Sequence, residues 1–275
     1  MRLTNIHYAF IVILYCIIAL LIAIFSAEIF FRIQNNYDLF SFEDRRIEIM
    51  KKNSIKEINS NRVIEYDPIL GWKLVENYKS KSLNTIEYGI RKNFPNTTLK
   101  QNSILAVGDS FTVGSEVKDY ESWPAQLELM LKNSVLNAGV GGYGSDQIIL
   151  RTTELLDKVN PKHVILSFLN DDILRVKYTI FTHPKPYYFF KNNTLIFNPP
   201  NKFINTYEFV GGHYSEFIVS KFKAFFARFY IVDKILGSRY PEFWYNFGEK
   251  KIATSEKIDE VEVTCALLKD LQSTL

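Results

Sequence analysis

The longest pattern in the chain is its first. Residues Ala9 to Phe25 are apolar without interruption. With Ser26 to Phe31, where Glu28 is the one charge, the run makes a helix of about 34 Å at 1.5 Å per residue, enough to cross a bilayer. A cleaved signal peptide is the rival reading, but no small-x-small pair sits well after the run, which favours an uncleaved anchor. Arg2 on one flank faces Arg32, Arg45 and Arg46 on the other, so the charge count does not orient the span. Residues 36–100 follow as a polar, Asn- and Lys-rich lead-in broken by Asp67-Pro68, Gly71-Trp72 and Pro95, a composition expected of a juxtamembrane stalk and a small packed extension.

From Ser103 the texture changes to alternation of strand and helix. Ile104 to Val107 predicts a buried strand, Trp123 to Leu131 an amphipathic helix and Val135-Leu136 a short strand. Asp146 to Val159 predicts a helix and His163 to Leu169 a third strand. Such alternation predicts an α/β domain whose parallel sheet has helices on both faces, with right-handed crossovers that bring all the strand C-termini to one edge. Residues 178–247 depart from it. They hold more than half of the chain's aromatic residues and five of its prolines, with a hairpin expected from Tyr187 to Phe197 around Asn192-Asn193. That segment is either a cap over a site or an insertion packed on its own aromatics. Glu256 to Leu271 predicts a last helix. The expected organisation is thus an anchor at 1–35, a lead-in at 36–100 and an α/β domain at 101–275 that contains the aromatic segment.

Composition changes this picture little. A 275-residue chain with 47% hydrophobic and 23% charged residues is not globally disordered. Its net charge of +3 is too small to imply a polyanion, and Arg45-Arg46 and Lys51-Lys52 lie among Glu43, Asp44, Glu48 and Glu57, so a nucleic-acid partner is set aside. Cys16 lies inside the span and Cys265 far beyond it, so the two are not expected to pair.

The chemistry lies in three short stretches, one after each predicted strand: Gly108-Asp109-Ser110, Asn137-Ala138-Gly139-Val140-Gly141-Gly142 and Leu169-Asn170-Asp171. Gly108 permits a tight turn, Asp109 can hold the loop through backbone N–H groups, and Ser110 presents a hydroxyl where a following segment begins. Taken singly each stretch has a plain explanation: a capped strand-to-helix turn, a flexible βα loop, a helix cap. Three of them at the C-terminal ends of strands in one sheet form a constellation.

Together the stretches resemble the first three blocks of the SGNH (GDSL-type) hydrolases. Trp123-Pro124, Leu127, Tyr143-Gly144 and Gln147, with Asp67-Pro68, Gly71-Trp72 and Gly89-Ile90-Arg91 upstream, extend the likeness to membrane-anchored members associated with cell-surface polysaccharides. The resemblance implies a three-layer α/β/α sandwich of flavodoxin-like type, no metal or organic cofactor, and acyl esters as substrates, O-acetyl groups on carbohydrate among them. It implies Ser110 as nucleophile, with the Ser110 N–H, the Gly142 N–H and the Asn170 side chain as oxyanion donors, and Gly108, Asp109 and Asp171 in support. It also implies an extracytoplasmic domain on a single-pass anchor.

The departure is the base. The family draws its histidine from an Asp-x-x-His block near the C-terminus, and no Asp-x-x-His occurs in this sequence. His7 precedes the span and His163 opens the third strand, at the wrong end of the sheet. His183 and His213, both in the aromatic segment, are left as weak candidates. The expectation is a C-terminally incomplete domain with negligible esterase turnover, or alternatively a non-catalytic anchored module that keeps the scaffold for binding or assembly.

Overall fold

The computed structural model describes residues 2–40, 44–200, 207–209, 214–245, 251–254 and 256–275. In chain order the helices are α1 (Arg2–Gln34), α2 (Arg45–Ser60), α3 (Ser110–Val113), α4 (Trp123–Leu131), α5 (Ser145–Val159), α6 (Asn170–Leu174), α7 (Tyr214–Phe226), α8 (Tyr230–Arg239), α9 (Pro241–Trp244) and α10 (Glu260–Thr274). The strands are β1 (Ile64–Asp67), β2 (Gly71–Leu74), β3 (Ile104–Gly108), β4 (Val135–Asn137), β5 (His163–Ser167), β6 (Tyr178–Phe181), β7 (His183–Pro184), β8 (Tyr187–Lys191), β9 (Thr194–Asn198), β10 (Tyr207–Phe209) and β11 (Lys251–Thr254). Residues 1–49 with 213–247 form one compact unit, and residues 50–212 with 248–275 form the other.

In the first unit, α1 is long and apolar enough to span a membrane, and its stretch from Tyr8 to Ser26 is exposed along its whole length. Glu28, read in the sequence as a charge inside the span, has a different use. Its two carboxylate oxygens accept the Tyr230 and Ile231 N–H groups at 2.6 and 3.0 Å, satisfying donors that the start of α8 leaves without helical acceptors. Arg32, one turn along α1, donates to Glu28 at 2.7 Å and to the Arg228 carbonyl at 2.6 Å. Glu28 and Arg32 are both buried, so this end of α1 belongs to packed protein.

The second unit is mixed α/β and carries a parallel three-stranded sheet in the order β4-β3-β5. Register runs Ile104↔Val135 and Ala106↔Asn137 on one side of β3, and Ile104↔His163 to Gly108↔Ser167 on the other. β3 is buried at every position, as a central parallel strand requires, and its Leu105 and Val107 share a core with Leu136, Ile148 and Leu155. Ile58, Leu70, Trp72, Ile86 and Ile90 enter the same core, so residues 50–100 are packed with the sheet rather than strung before it.

Antiparallel pairs complete the unit. β8 and β9 form the hairpin over 187–198, turned by Asn192 and Asn193 at φ of 50° and 59°, the left-handed pair that a two-residue turn demands. β6 lies between β7 and β11 in a second sheet, order β10-β11-β6-β7. The aromatic segment expected at 178–247 is therefore shared between the two units: 178–212 goes to the sheet-bearing unit and 213–247 to the other.

Candidate functional site

The three motif loops leave the sheet at one edge, because β3, β4 and β5 are parallel and in register. The first turn is as tight as a chain allows. A Cβ at Gly108 would fall 2.0 Å from Thr112 Oγ1 and 2.5 Å from the Ser167 carbonyl, so no side chain fits where β3 turns into α3. Asp109 caps α3 by accepting the Phe111 N–H at 2.9 Å, and Ser110 is the first helical residue, half-buried.

The second loop is carried to Ser110 by the backbone of β3. Val140 N–H donates to the Gly108 carbonyl at 2.9 Å, and a Cβ at Gly141 would lie 3.9 Å from Ser110 Cβ. Trp72 Nε1 donates to the Gly141 carbonyl at 3.1 Å. In a trans peptide the carbonyl and the next N–H point oppositely, so this one bond fixes the Gly142 N–H away from Trp72. Gly142 itself has φ +80°, open to glycine and strained for other residues. The third loop begins α6 with Asn170, which is exposed.

Among the described residues, neither the Ser110 N–H, the Gly142 N–H nor the Asn170 side chain has a hydrogen-bond partner, and the Ser110 hydroxyl has none. Beside them, Asp109 Oδ2, Thr112 Oγ1 and Asn137 Nδ2 are also buried without a hydrogen-bond partner, while other groups are engaged. Asn137 Oδ1 accepts the Gly139 N–H at 3.2 Å, and the Tyr143 hydroxyl donates to the Trp72 carbonyl at 2.5 Å.

The residue that joins the loops is one that sequence reasoning missed. Arg175 Nη1 lies 2.5 Å from Asp172, 3.9 Å from Asp109 Oδ2 and 2.9 Å from the Tyr143 carbonyl it donates to. One guanidinium therefore touches the loop of Ser110, the loop of Gly142 and the helix of Asn170. Its carbon sits 4.8 Å from the centre of the Phe181 ring. Asp171, expected in support, is exposed, and the neighbouring Asp172 does that work: it is fully buried and accepts the Leu169 N–H at 2.8 Å. An Asp-Asp pair followed by Arg at helical spacing was the available signal.

Burial pushes the Asp172 carboxyl up to about 6, with the Asp109 charge adding to the rise and the Leu169 N–H and Arg175 opposing it. A carboxyl raised above its ordinary value binds its proton more tightly folded than unfolded. Its contribution to stability is full below about pH 4 and is lost as pH rises through 6. The melting temperature of Asp172→Asn is expected to change less steeply than wild type between pH 4 and 7. Parallel slopes in a thermal scan across that range would contradict it.

The histidines fall in three places. His163 is exposed at the far end of β5 from Ser110, and His213 lies outside the described residues. His183, on β7, packs edge-on to Trp72 with ring centres 5.5 Å apart, so the ring that orients the Gly141–Gly142 peptide also contacts this histidine. Neither His183 nor any other histidine among the described residues bonds the Ser110 hydroxyl. Behind the loop, a fully buried ion pair of Lys185 and Asp146 at 2.6 Å ties the β7–β8 connection to the first turn of α5. Among the described residues no cluster of His, Cys, Asp and Glu could hold a metal ion.

No family model matches the chain, and no curated protein matches it. Two solved structures are similar over a limited stretch: the crystal structure of AlinE4, an SGNH-hydrolase family esterase, and a single-residue mutant of the same esterase. Each is 31% identical over 29% of this chain and 46% of that chain, with a TM-score of 0.25. The chain thus spans about half the length of the esterase it matches.

Proposed function

We propose that this protein is an SGNH-type serine esterase or acyltransferase of three-layer α/β/α architecture, acting on acyl esters, with O-acetyl groups of cell-surface carbohydrate as the substrate class. One observation carries the reading. The Ser110 hydroxyl, the Ser110 N–H, the Gly142 N–H and the Asn170 amide are all unengaged among the described residues, and all lie at one sheet edge. In the proposed mechanism the Ser110 oxygen attacks the ester carbonyl as its proton passes to a base or water, the developing oxyanion takes hydrogen bonds from the Ser110 and Gly142 N–H groups and the Asn170 side chain, and collapse expels the protonated alcohol and leaves the acyl group on Ser110 for water or an acceptor hydroxyl. Such donors act because they are fixed before charge develops. Trp72 and Arg175 supply that fixity, the first through the Gly141 carbonyl and the second through the loops of Ser110 and Gly142 and the helix of Asn170.

A serine hydroxyl needs a base, and Ser110 meets none among the described residues. That observation favours a second reading, a non-catalytic binding or assembly module on the same scaffold. A fluorophosphonate probe separates the two. The full chain in detergent is expected to label at Ser110, slowly, with loss of the label in Ser110→Ala and no change in melting temperature. A folded chain whose Ser110 stays unlabelled after prolonged exposure belongs to the second reading. The His183→Ala variant tests the histidine beside Trp72: an unchanged labelling rate removes His183 as base.

The anchor reading rests on the exposed apolar stretch of α1. The protein is expected to stay with membranes through carbonate extraction, with residues 36–275 cleaved by protease added from the extracytoplasmic side. Cleavage only from the cytoplasmic side reverses the orientation.

A further inference from the structure

Residues 79–120 enclose a cleft of about 300 Å³, at the small end of the range for ligand sites. Four lysines line it: Lys79, Lys81, Lys92 and Lys118. Among the described residues none of the four ammonium groups has a carboxylate within 4.0 Å. The one carboxylate in the lining, Asp119, is held by Arg91 at 2.9 Å and by the Asn84 N–H and amide at 3.1 and 2.6 Å. Glu121 in the same turn accepts the Lys118 N–H at 2.8 Å. The cleft therefore carries a local positive field that the chain's near-neutral total conceals.

A second group in the lining narrows the ligand. Asn93 is fully buried, and its amide nitrogen donates to Glu128 at 2.9 Å and to the Val135 carbonyl at 2.7 Å. Two acceptors on that nitrogen settle which end of the amide is which. The Asn93 carbonyl oxygen is left buried without a partner, which is unfavourable for a polar atom. It asks for a donor, which neither a carboxylate nor a phosphate dianion supplies and a hydroxyl does. Tyr120, 49% exposed, adds an aromatic ring to the wall.

We propose that the cleft of Lys79, Lys81, Lys92, Lys118, Asn93 and Tyr120 binds an anionic sugar, its acid groups on the lysines, one hydroxyl on Asn93 and a pyranose face against Tyr120. The wall belongs to the loop that follows the Ser110 helix. Ser115 Oγ lies 3.7 Å from the Cβ position of Gly141, and Lys118, three residues on, is no more than about 11 Å further along the chain. If the esterase reading holds, the cleft selects the sugar that carries the ester. The binding itself does not depend on Ser110.

The test reads binding alone, by calorimetry on the full chain in detergent at low ionic strength. Tetragalacturonate is expected to bind with a sub-millimolar Kd that weakens with added salt. Lys79→Gln, Lys81→Gln, Lys92→Gln and Lys118→Gln combined should weaken it at least tenfold, and Tyr120→Ala several-fold. Lys162→Gln with Lys269→Gln, exposed lysines outside the cleft, should leave it unchanged. Equal binding of the fully methyl-esterified tetrasaccharide would overturn the role of the lysines. Equal binding of butanetetracarboxylate, which has the charges and no hydroxyls, would overturn the sugar. No binding of tetragalacturonate overturns the site and leaves the Ser110 reading standing.

Discussion

Replacing Arg175 with alanine is expected to lower the melting temperature by about 10 °C and to slow Ser110 labelling by the fluorophosphonate at least tenfold. The first figure follows from what the substitution leaves behind. Asp109 and Asp172 are buried carboxylates, and removing the one guanidinium that faces both leaves two like charges without their counter-ion. The loss of one partner from a buried pair costs about 3–5 kcal/mol, and a unit of this size melts about 2–4 °C lower per kcal/mol. The second figure follows from geometry. The Tyr143 carbonyl and Asp109 lie on two different loops and Asp172 on α6, and on the proposed mechanism donors displaced by an ångström stabilise the oxyanion poorly. Arg175→Lys should recover part of the melting temperature and little of the labelling rate, since one ammonium cannot reproduce the planar fork. A labelling rate equal to wild type in a destabilised Arg175→Ala chain would make Arg175 a structural residue only.

Arg91→Ala is expected to be the most destabilising single change in the sheet-bearing unit, by about 3–5 kcal/mol. Arg91 is fully buried and all its donors are used. Nε donates to Asp119 at 2.9 Å, Nη1 to the Gly114 carbonyl at 2.6 Å and to the Val113 carbonyl, and Nη2 to the Ser82 and Val117 carbonyls at 2.6 and 2.8 Å. Its own N–H continues the sheet by donating to the Asn137 carbonyl at 2.8 Å. Lysine has three donors and no fork, so Arg91→Lys should recover less than half. The check is the midpoint of urea unfolding. A shift below 1 kcal/mol would mean that these carbonyls find water when the side chain leaves.

These two arginines show where the sequence stopped being legible. β3, β4, β5, α4 and α5 follow from local pattern: apolar runs of strand length, amphipathic spacing, and loops rich in Gly and Asn. The Asn192-Asn193 hairpin is legible for the same reason, because two residues that tolerate positive φ sit between apolar runs. Trp72 against Gly141, Arg91 against the last residue of α3 and Arg151 against the Tyr88 carbonyl join residues 69, 22 and 63 apart, and no local period encodes such pairs. The helix α2 escaped for another reason. Its apolar residues Ile47, Met50, Ile55 and Ile58 do recur at helical spacing, but they are thinly spread in a segment otherwise rich in Arg, Lys, Glu and Asn, which reads as a polar lead-in. That Ser110, Gly142 and Asn170 follow strands leaving one sheet edge is legible from motif and strand order, whereas the burial of Asp172 rather than Asp171 depends on which of two adjacent carboxylates turns inward.

Glu28 and the start of α8 are 202 residues apart, and that separation is also an interval of time. At about 5–20 residues per second of synthesis, roughly 10–40 s pass between the appearance of Glu28 and that of the Tyr230 N–H group it binds. Through that interval the carboxylate at the foot of α1 has Arg32 as its neighbour in the chain and nothing from α8. On the proposed anchor reading, the helix enters the bilayer with an acid that its eventual partner has not yet reached, so the depth it first takes is set by Glu28 and Arg32 together. Completion of α8 then draws that pair into protein, and on that reading the order of synthesis becomes an order of assembly, with α1 first and the contacts at its C-terminal end last.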